Sequence, residues 1–227
     1  MPKTAALILA AGNSTRMGFA KQTAAIGSQT VITRTLTAFQ NAPSVHSIVI
    51  VGRACDIAML TALCEELHIT KLHAICVGGD TRQQSAKNGM TVLPDDADFV
   101  AIHDGARPLV TPDLIDKVIA QAKLHGAALL AMPVKDTIKV ASADGFIQGT
   151  PERAVLWQAQ TPQVFRVDVY RRAMDYAIAH GLDFTDDCQL MERLSIPVKL
   201  VESTYQNIKI TTPDDLTLAA AMLENKE

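Results

Sequence analysis

The feature that most constrains this chain is a series of continuous apolar runs set between segments of helical spacing. Ala5-Ala6-Leu7-Ile8-Leu9-Ala10 is the first, and it ends in a glycine loop. A strand without polar alternation is buried on both faces, as in a parallel sheet covered by helices. Similar runs recur at 47–51, 74–77, 99–102 and 129–134, and segments of helical period fall between them at 31–39, 57–67, 85–93 and 112–124. Strand and helix alternate through the first 134 residues, which predicts βαβ units joined by right-handed crossovers. The expected fold is α/β and Rossmann-like, a mainly parallel sheet flanked by helices.

The alternation stops after Val134. Residues 135–163 are β-rich, with turn signals at Ala143-Asp144-Gly145 and Thr150-Pro151. They read as a protruding arm, not as another βα unit. Helices are expected again at 167–179 and 186–194, strands at 198–202 and 207–210, and a last helix after Thr212-Pro213-Asp214-Asp215, where threonine caps and proline takes the first helical position. No linker or internal repeat divides the chain, so residues 1–227 are expected to form a single domain carrying the arm. A two-stranded ribbon is marginal alone. The arm therefore calls for a partner, and a homodimer with exchanged arms is expected.

Composition removes several classes of function. Apolar residues at 48% with charged residues at 20% exclude a disordered chain. Lys and Arg form no stripe and the net charge is −3, so no nucleic-acid partner is expected. The apolar run near the N-terminus is too short for a secretion signal or a bilayer span, which predicts a soluble chain with no membrane partner. Cys55, Cys64, Cys76 and Cys188 form no C-x-x-C pair and read as reduced residues of a cytoplasmic protein.

Chemistry concentrates after the first strand, in Leu9-Ala10-Ala11-Gly12-Asn13-Ser14-Thr15-Arg16-Met17-Gly18 and then Lys21. The loop at the carboxyl end of such a strand is the usual ligand crevice of an open α/β sheet. Small residues at Ala10, Ala11 and Gly12 let backbone N–H groups approach a phosphate, and Arg16 and Lys21 supply charge against a polyphosphate. The alternative is a plain strand-to-helix turn with two solvated cations. The loop is neither G-x-G-x-x-G nor G-x-x-x-x-G-K-[ST], and no acid ends the second strand, so a nicotinamide enzyme and a P-loop lose their support.

Leu-Ala-Ala-Gly-x-x-x-Arg-Met followed by Lys-Gln resembles the signature loop of the sugar-phosphate nucleotidyltransferases. Further segments narrow the resemblance: Gly78-Gly79-Asp80-Thr81-Arg82-Gln83-Gln84-Ser85, His103-Asp104-Gly105-Ala106-Arg107-Pro108, Pro133-Val134-Lys135-Asp136-Thr137, Thr161-Pro162-Gln163, Thr185-Asp186-Asp187 and Asn207-Ile208-Lys209-Ile210-Thr211. In this order, across nearly the whole chain, they are similar to the 2-C-methyl-D-erythritol 4-phosphate cytidylyltransferase family.

The resemblance implies transfer of CMP from CTP to a polyol phosphate, with pyrophosphate leaving and Mg²⁺ carried mainly on the CTP phosphates, near Asp104 if the protein contributes. It implies catalytic roles for Arg16, Lys21, Arg153 and Lys209. Ala10, Ala11, Gly12, Ser14 and Gly105 would line the nucleotide, and Gly79, Asp80 and Ser85 would contact cytosine. Asp104 and Arg107 would meet the polyol phosphate, as would Thr137, which reaches across a dimer interface as Arg153 does. His103 reads as a structural histidine, because a phosphate monoester is already ionised near neutrality and needs no base. Asp186 and Asp187 read as helix-capping acids after Thr185. The loop between Arg16 and Lys21 has Ala20 where the family usually carries proline, and Ser14 stands where many relatives have glycine. Two alternatives remain open at this point. One is a ribitol-5-phosphate cytidylyltransferase, against which His-Asp-Gly-Ala-Arg-Pro weighs; the other is a non-catalytic nucleotide-binding module.

Overall fold

The computed structural model describes residues 1–12 and 21–224. Chain order gives β1 (Thr4–Leu9), β2 (Ala25–Ile26), β3 (Gln29–Thr30), α1 (Val31–Asn41), β4 (Ser47–Gly52), α2 (Ile57–Glu66), β5 (Leu72–Val77), α3 (Arg82–Thr91), β6 (Phe99–Asp104), α4 (Pro112–His125) and β7 (Ala127–Pro133). There follow β8 (Val140–Ala141), β9 (Ile147–Gly149), β10 (Trp157–Arg166), α5 (Val167–Ala179), α6 (Asp187–Arg193), β11 (Lys199–Glu202) and α7 (Pro213–Glu224).

Seven strands form the central sheet in the order β11-β7-β10-β6-β1-β4-β5. All neighbours are parallel except β10, which runs antiparallel between β6 and β7. The α/β expectation is met. Each apolar run is a strand covered on both sides, with alternate residues supplying two cores. Ala6, Ile8, Ile48, Ile50 and Ala101 face α1, α2 and α4 on one side. Leu7, Val49, Val51, Val100 and Ile102 face α3, α5 and α6 on the other. Each fully buried Leu, Ile or Val stabilises the fold by about 1.5–3 kcal/mol.

The ladder also fixes where chemistry can occur. Leu9 pairs with both Val51 and Asp104, and Gly52 pairs with Val77, so four parallel strands end at one edge. The loops leaving that edge carry residues 10–12, 78–81 and 105–107. Caps set the angles of the helices behind them. Thr81 Oγ1 accepts the N–H of Gln84 at the start of α3, and Thr111 Oγ1 accepts that of Leu114 at the start of α4.

The structure differs from the sequence reading at two places. The arm is shorter than 135–163. Its ribbon is only β8 paired with β9, and Trp157 already pairs with Pro133 in the main sheet. The β-rich pattern of residues 157–163 belongs to a central antiparallel strand, whose mixed faces mimic those of a ribbon. Residues 207–210 are not a strand either. That segment is held by side chains and by one sheet-like bond, Ile210 N–H to Ala106 O at 2.8 Å.

Candidate active site

A cleft of about 200 Å³ opens at the shared strand edge, lined among others by Ala11, Gly12, Lys21, Gly79, Asp80, Ser85, Asp104 and Lys209. Its mouth is formed by two loops in contact. A Cβ on Gly78 would stand 2.4 Å from Ala11 Cβ and 2.8 Å from Ser85 Oγ, so only glycine permits this approach. Ser85, buried in the first turn of α3, accepts the Gly79 N–H at 3.1 Å and donates to Gly79 O at 3.4 Å. Its hydroxyl thus sets the backbone that faces the cleft. Lys21 folds back over the glycine loop, its Nζ 3.8 Å from where a Gly12 Cβ would lie. The neighbouring Gln22 is buried and donates to Ala10 O at 3.4 Å.

Asp104 closes β6 and forms the far wall. Lys209 Nζ lies 2.9 Å from its Oδ2, Arg82 Nε 3.3 Å from its Oδ1 and Arg107 Nε 3.7 Å from Oδ2. Burial alone would raise this carboxyl's pKa, but Arg82, Lys209 and Arg107 outweigh it and hold the group far below the usual carboxylate range. Asp104 therefore stays ionised at any working pH. Its N–H donates to Thr161 Oγ1 at 3.1 Å.

Thr161 reaches this point because β10 bulges against β7 between Ala159 and Gln163. A bulge re-aims the side chains it frees. Here Thr161 turns to Asp104 and His103, and Gln160 turns to Thr204 O at 3.1 Å. Asn207, fully buried, donates to Gln160 Oε1 and Thr161 O, both at 3.0 Å, and its own carbonyl accepts from Arg107 Nη1 at 2.8 Å. Those bonds pin the segment that carries Lys209, which explains why it needs no strand.

Behind Asp104 lies a second, strongly polar cavity of about 250 Å³. Arg107, Gln160, Thr161, Gln163, Thr185 and Asp186 line it, together with Arg82, Asp104 and Lys209. Arg82, Asp104 and Lys209 are thus a wall common to both cavities. Arg107 Nε is buried there without a hydrogen-bond partner among the described residues.

His103 is enclosed. Nε2 meets Arg107 O at 3.3 Å and Nδ1 meets Thr161 Oγ1 at 3.0 Å. A carbonyl can only accept, so the proton is assigned to Nε2, leaving Nδ1 to accept from Thr161. Burial lowers its pKa to about 3, so the ring is neutral and structural.

The structure brings Ala11, Gly12, Lys21, Gly79, Asp80, Ser85, Asp104 and Lys209 together on the first cavity and Arg107 on the second. Ala10 and Gly105 sit behind the lining. Ala10 N–H is bonded to Val51 O and Gly105 N–H to Leu9 O, and Ala106 faces the cleft in place of Gly105. Arg16 and Ser14, with Ala20, lie outside the described residues. Thr137 and Arg153 are exposed on the arm and line neither cavity, and Arg153 Nη1 donates to Lys135 O at 2.9 Å.

The sequence reading assigns no site role to Arg82, Asp187, Thr161 or Thr185, of which Arg82, Thr161 and Thr185 line the second cavity and Asp187 backs Arg82. Arg82 stood inside a quoted motif without a role. Asp187 was read as a capping acid, but only Asp186 caps, accepting the Cys188 N–H at 2.8 Å. Asp187 is buried and points at Arg82. A second acid after a complete cap was the available signal.

The family model of 2-C-methyl-D-erythritol 4-phosphate cytidylyltransferase matches residues 4–225. Curated proteins of that name from Desulforamulus reducens and Pelotomaculum thermopropionicum are 41% and 42% identical, covering 100% of this chain and 98% and 97% of their own. The crystal structure of 4-diphosphocytidyl-2C-methyl-D-erythritol synthase from Anaerococcus prevotii superposes with a TM-score of 0.88 at 29% identity, over 98% of this chain and 99% of that one.

Proposed function

The chain belongs to the 2-C-methyl-D-erythritol 4-phosphate cytidylyltransferase family, and on that premise we propose that the two cavities sharing the Arg82–Asp104–Lys209 wall are the seats of CTP and of the polyol phosphate. The protein is a nucleotidyltransferase. It moves CMP from CTP to 2-C-methyl-D-erythritol 4-phosphate, giving 4-diphosphocytidyl-2-C-methyl-D-erythritol and pyrophosphate, a step of non-mevalonate isoprenoid synthesis.

The observation that carries the site assignment is the convergence of Lys21 and Lys209 with the Gly12 loop and the Gly79–Ser85 turn on one cleft. The glycine loop and the two ammonium groups suit a triphosphate. The Gly79 carbonyl and the Asp80 carboxylate offer acceptors to the exocyclic amine that distinguishes cytosine from uracil. The second cavity suits the polyol phosphate, since the Arg107 guanidinium and the Thr185 hydroxyl line it. Lys209, on the common wall, then stands between donor and acceptor.

In the reaction an oxygen of the methylerythritol phosphate attacks the α-phosphorus of CTP. The bond from that phosphorus to the β-phosphate bridge breaks in line, and its electron pair leaves with pyrophosphate. No proton has to be removed, because the attacking phosphate is ionised above a pKa of about 6. The protein's work is positioning and neutralising charge that builds on the α-phosphate. Lys21 and Lys209 do this, joined by Arg16 on the strength of the family motif.

Mg²⁺ is proposed as a companion of the triphosphate. Asp104 is enclosed by three cations, and among the described residues no group of three His, Cys, Asp or Glu side chains could hold a metal. The cleft's cationic lining fits a metal brought in on phosphate oxygens, where it withdraws charge from them. A homodimer is also proposed. Phe146, Ile147 and Val155 expose apolar surface on the arm, and Thr137 and Arg153 would serve the partner's site. Free thiols at all four cysteines support a reducing cytoplasm, and no helix among the described residues is long and apolar enough to cross a membrane.

Pyrophosphate release with each of the four nucleoside triphosphates, against methylerythritol phosphate and ribitol 5-phosphate, tests the reading. CTP with methylerythritol phosphate is the expected pair. Faster release with ribitol 5-phosphate, or CTP binding without release, overturns it.

A further inference from the structure

A line of buried charge runs beneath the common wall, and the transfer as described makes no use of it. Tyr170 on α5, fully buried, donates its hydroxyl to Asp187 Oδ1 at 2.6 Å. Asp187 Oδ2, on α6, lies 2.6 Å from Arg82 Nη1, and Arg82 Nε lies 3.3 Å from Asp104 Oδ1. Asp104 Oδ2 then holds Lys209 at 2.9 Å. Asp187 is only 3% exposed. Burying an ion pair of this kind is a poor way to gain stability, because apolar residues of similar size commonly do as well or better. The arrangement also requires arginine. One guanidinium spans two carboxylates through different edges of a rigid fork, which a single ammonium does not reproduce.

We propose that Arg82 is a positioning residue for the cytidylyl transfer, fixing the Asp104 carboxylate from behind so that Lys209 is held at the junction of the two cavities. With Oδ1 held by Arg82, the carboxylate cannot turn, and Oδ2 stays directed at Lys209. Without that hold, Asp104 is free to rotate toward Arg107, whose Nε waits at 3.7 Å, and Lys209 loses its fixed seat. Arg82 is in turn kept in place by Asp187, and Asp187 by Tyr170. Side chains on two helices outside the cleft therefore set the angle of a lysine inside it. The inference rests on the site reading given above.

Initial rates of pyrophosphate release from the full chain, with CTP and methylerythritol phosphate each varied, are compared for wild type, Arg82→Lys and Tyr170→Phe, alongside thermal melting. Arg82→Lys still neutralises Asp187 but cannot span both carboxylates. It is expected to fold, to keep both KM values within about threefold, and to lose roughly 10²-fold in kcat, the scale of a misplacement of about 1 Å. Tyr170→Phe keeps the ring stacked on Phe165 and removes one hydrogen bond to a charged group, for a loss of about tenfold in kcat. If Arg82→Lys fails to fold, Tyr170→Phe decides, its rate being taken per folded molecule well below its melting point. Wild-type kcat in the deciding variant overturns the inference. So does a loss carried by either KM, which would make Arg82 a ligand contact. A wild type that releases no pyrophosphate from this pair overturns the site reading and this inference together.

Discussion

Lys209 Nζ stands 2.9 Å from Asp104 Oδ2, bringing a residue of the C-terminal segment onto the end of the central strand β6. The contact joins a segment without helix or strand, residues 203–212, to a strand buried in the central sheet. Because Asp104 remains ionised, it orients the ammonium without removing the site's positive balance. Arg82, Arg107 and Lys209 still outnumber the two carboxylates, Asp104 and Asp187, that they contact.

Deleting one of the cleft's ammonium groups should act on turnover. For Lys21→Ala and Lys209→Ala, kcat is expected to fall on the order of 10²–10³-fold, or about 3–4 kcal/mol of transition-state stabilisation. Steady-state pyrophosphate release measures it. A change of less than threefold in both variants would remove the two lysines from the mechanism.

Gly78→Ala places a methyl group 2.4 Å from Ala11 Cβ and 2.8 Å from Ser85 Oγ. The two loops must part, with an expected stability loss of about 1–3 kcal/mol and weaker CTP binding. Denaturant unfolding and calorimetric titration with CTP report the two effects separately.

His103 makes stability depend on pH. Its folded pKa of about 3 lies below the ordinary histidine value of 6.5. Between those values the unfolded chain takes up a proton that the folded chain does not. Stability is therefore complete above about pH 6.5 and declines as pH falls toward 3, with a slope approaching about 1.4 kcal/mol per unit. Asp104 works in the same direction lower on the scale, since its depressed pKa means stability is lost as pH falls below the ordinary carboxylate value. Urea unfolding from pH 7 to 5 is expected to show the decline for wild type and a flatter line for His103→Asn.

How much of this could be read from the chain alone differs by element. Each fully covered strand announced itself, because a strand buried on both faces leaves an unbroken apolar run. β10 did not. It lies between two strands, yet Gln160, Thr161 and Gln163 line the second cavity with polar groups, so its pattern imitates an exposed ribbon. Lys21 and Lys209 were legible through motifs. The family resemblance also implies that the two meet at one triphosphate; what the chain alone does not show is how Lys209 is held, by Asn207 bonding to Gln160 and Thr161 across the bulge. Asp187 was hidden by its neighbour, since two adjacent acids at a helix start look alike until one is found capping and the other buried.

The arm's service to a second copy is open to a mixing experiment. Arg153→Ala and Lys209→Ala chains, each weak alone, are denatured together and refolded. If Arg153 acts in the partner's cleft, mixed dimers contain one intact site and activity returns above that of either parent. Activity that stays at the parental level places Arg153 outside the partner's site.

Pro133 and Trp157 are ladder partners, so the arm leaves the sheet and re-enters it at the same rung. Everything between them is a stalk with a closed root. Residues could be added or removed near the Asp144-Gly145 turn without disturbing a single rung below, since doubling a loop adds only about 0.6 kcal/mol of closure entropy. The root has no such latitude. A one-residue slip at Trp157 would carry Thr161 away from His103 and Asp104. The arm's reach can thus change while the floor of the pocket stays where it is.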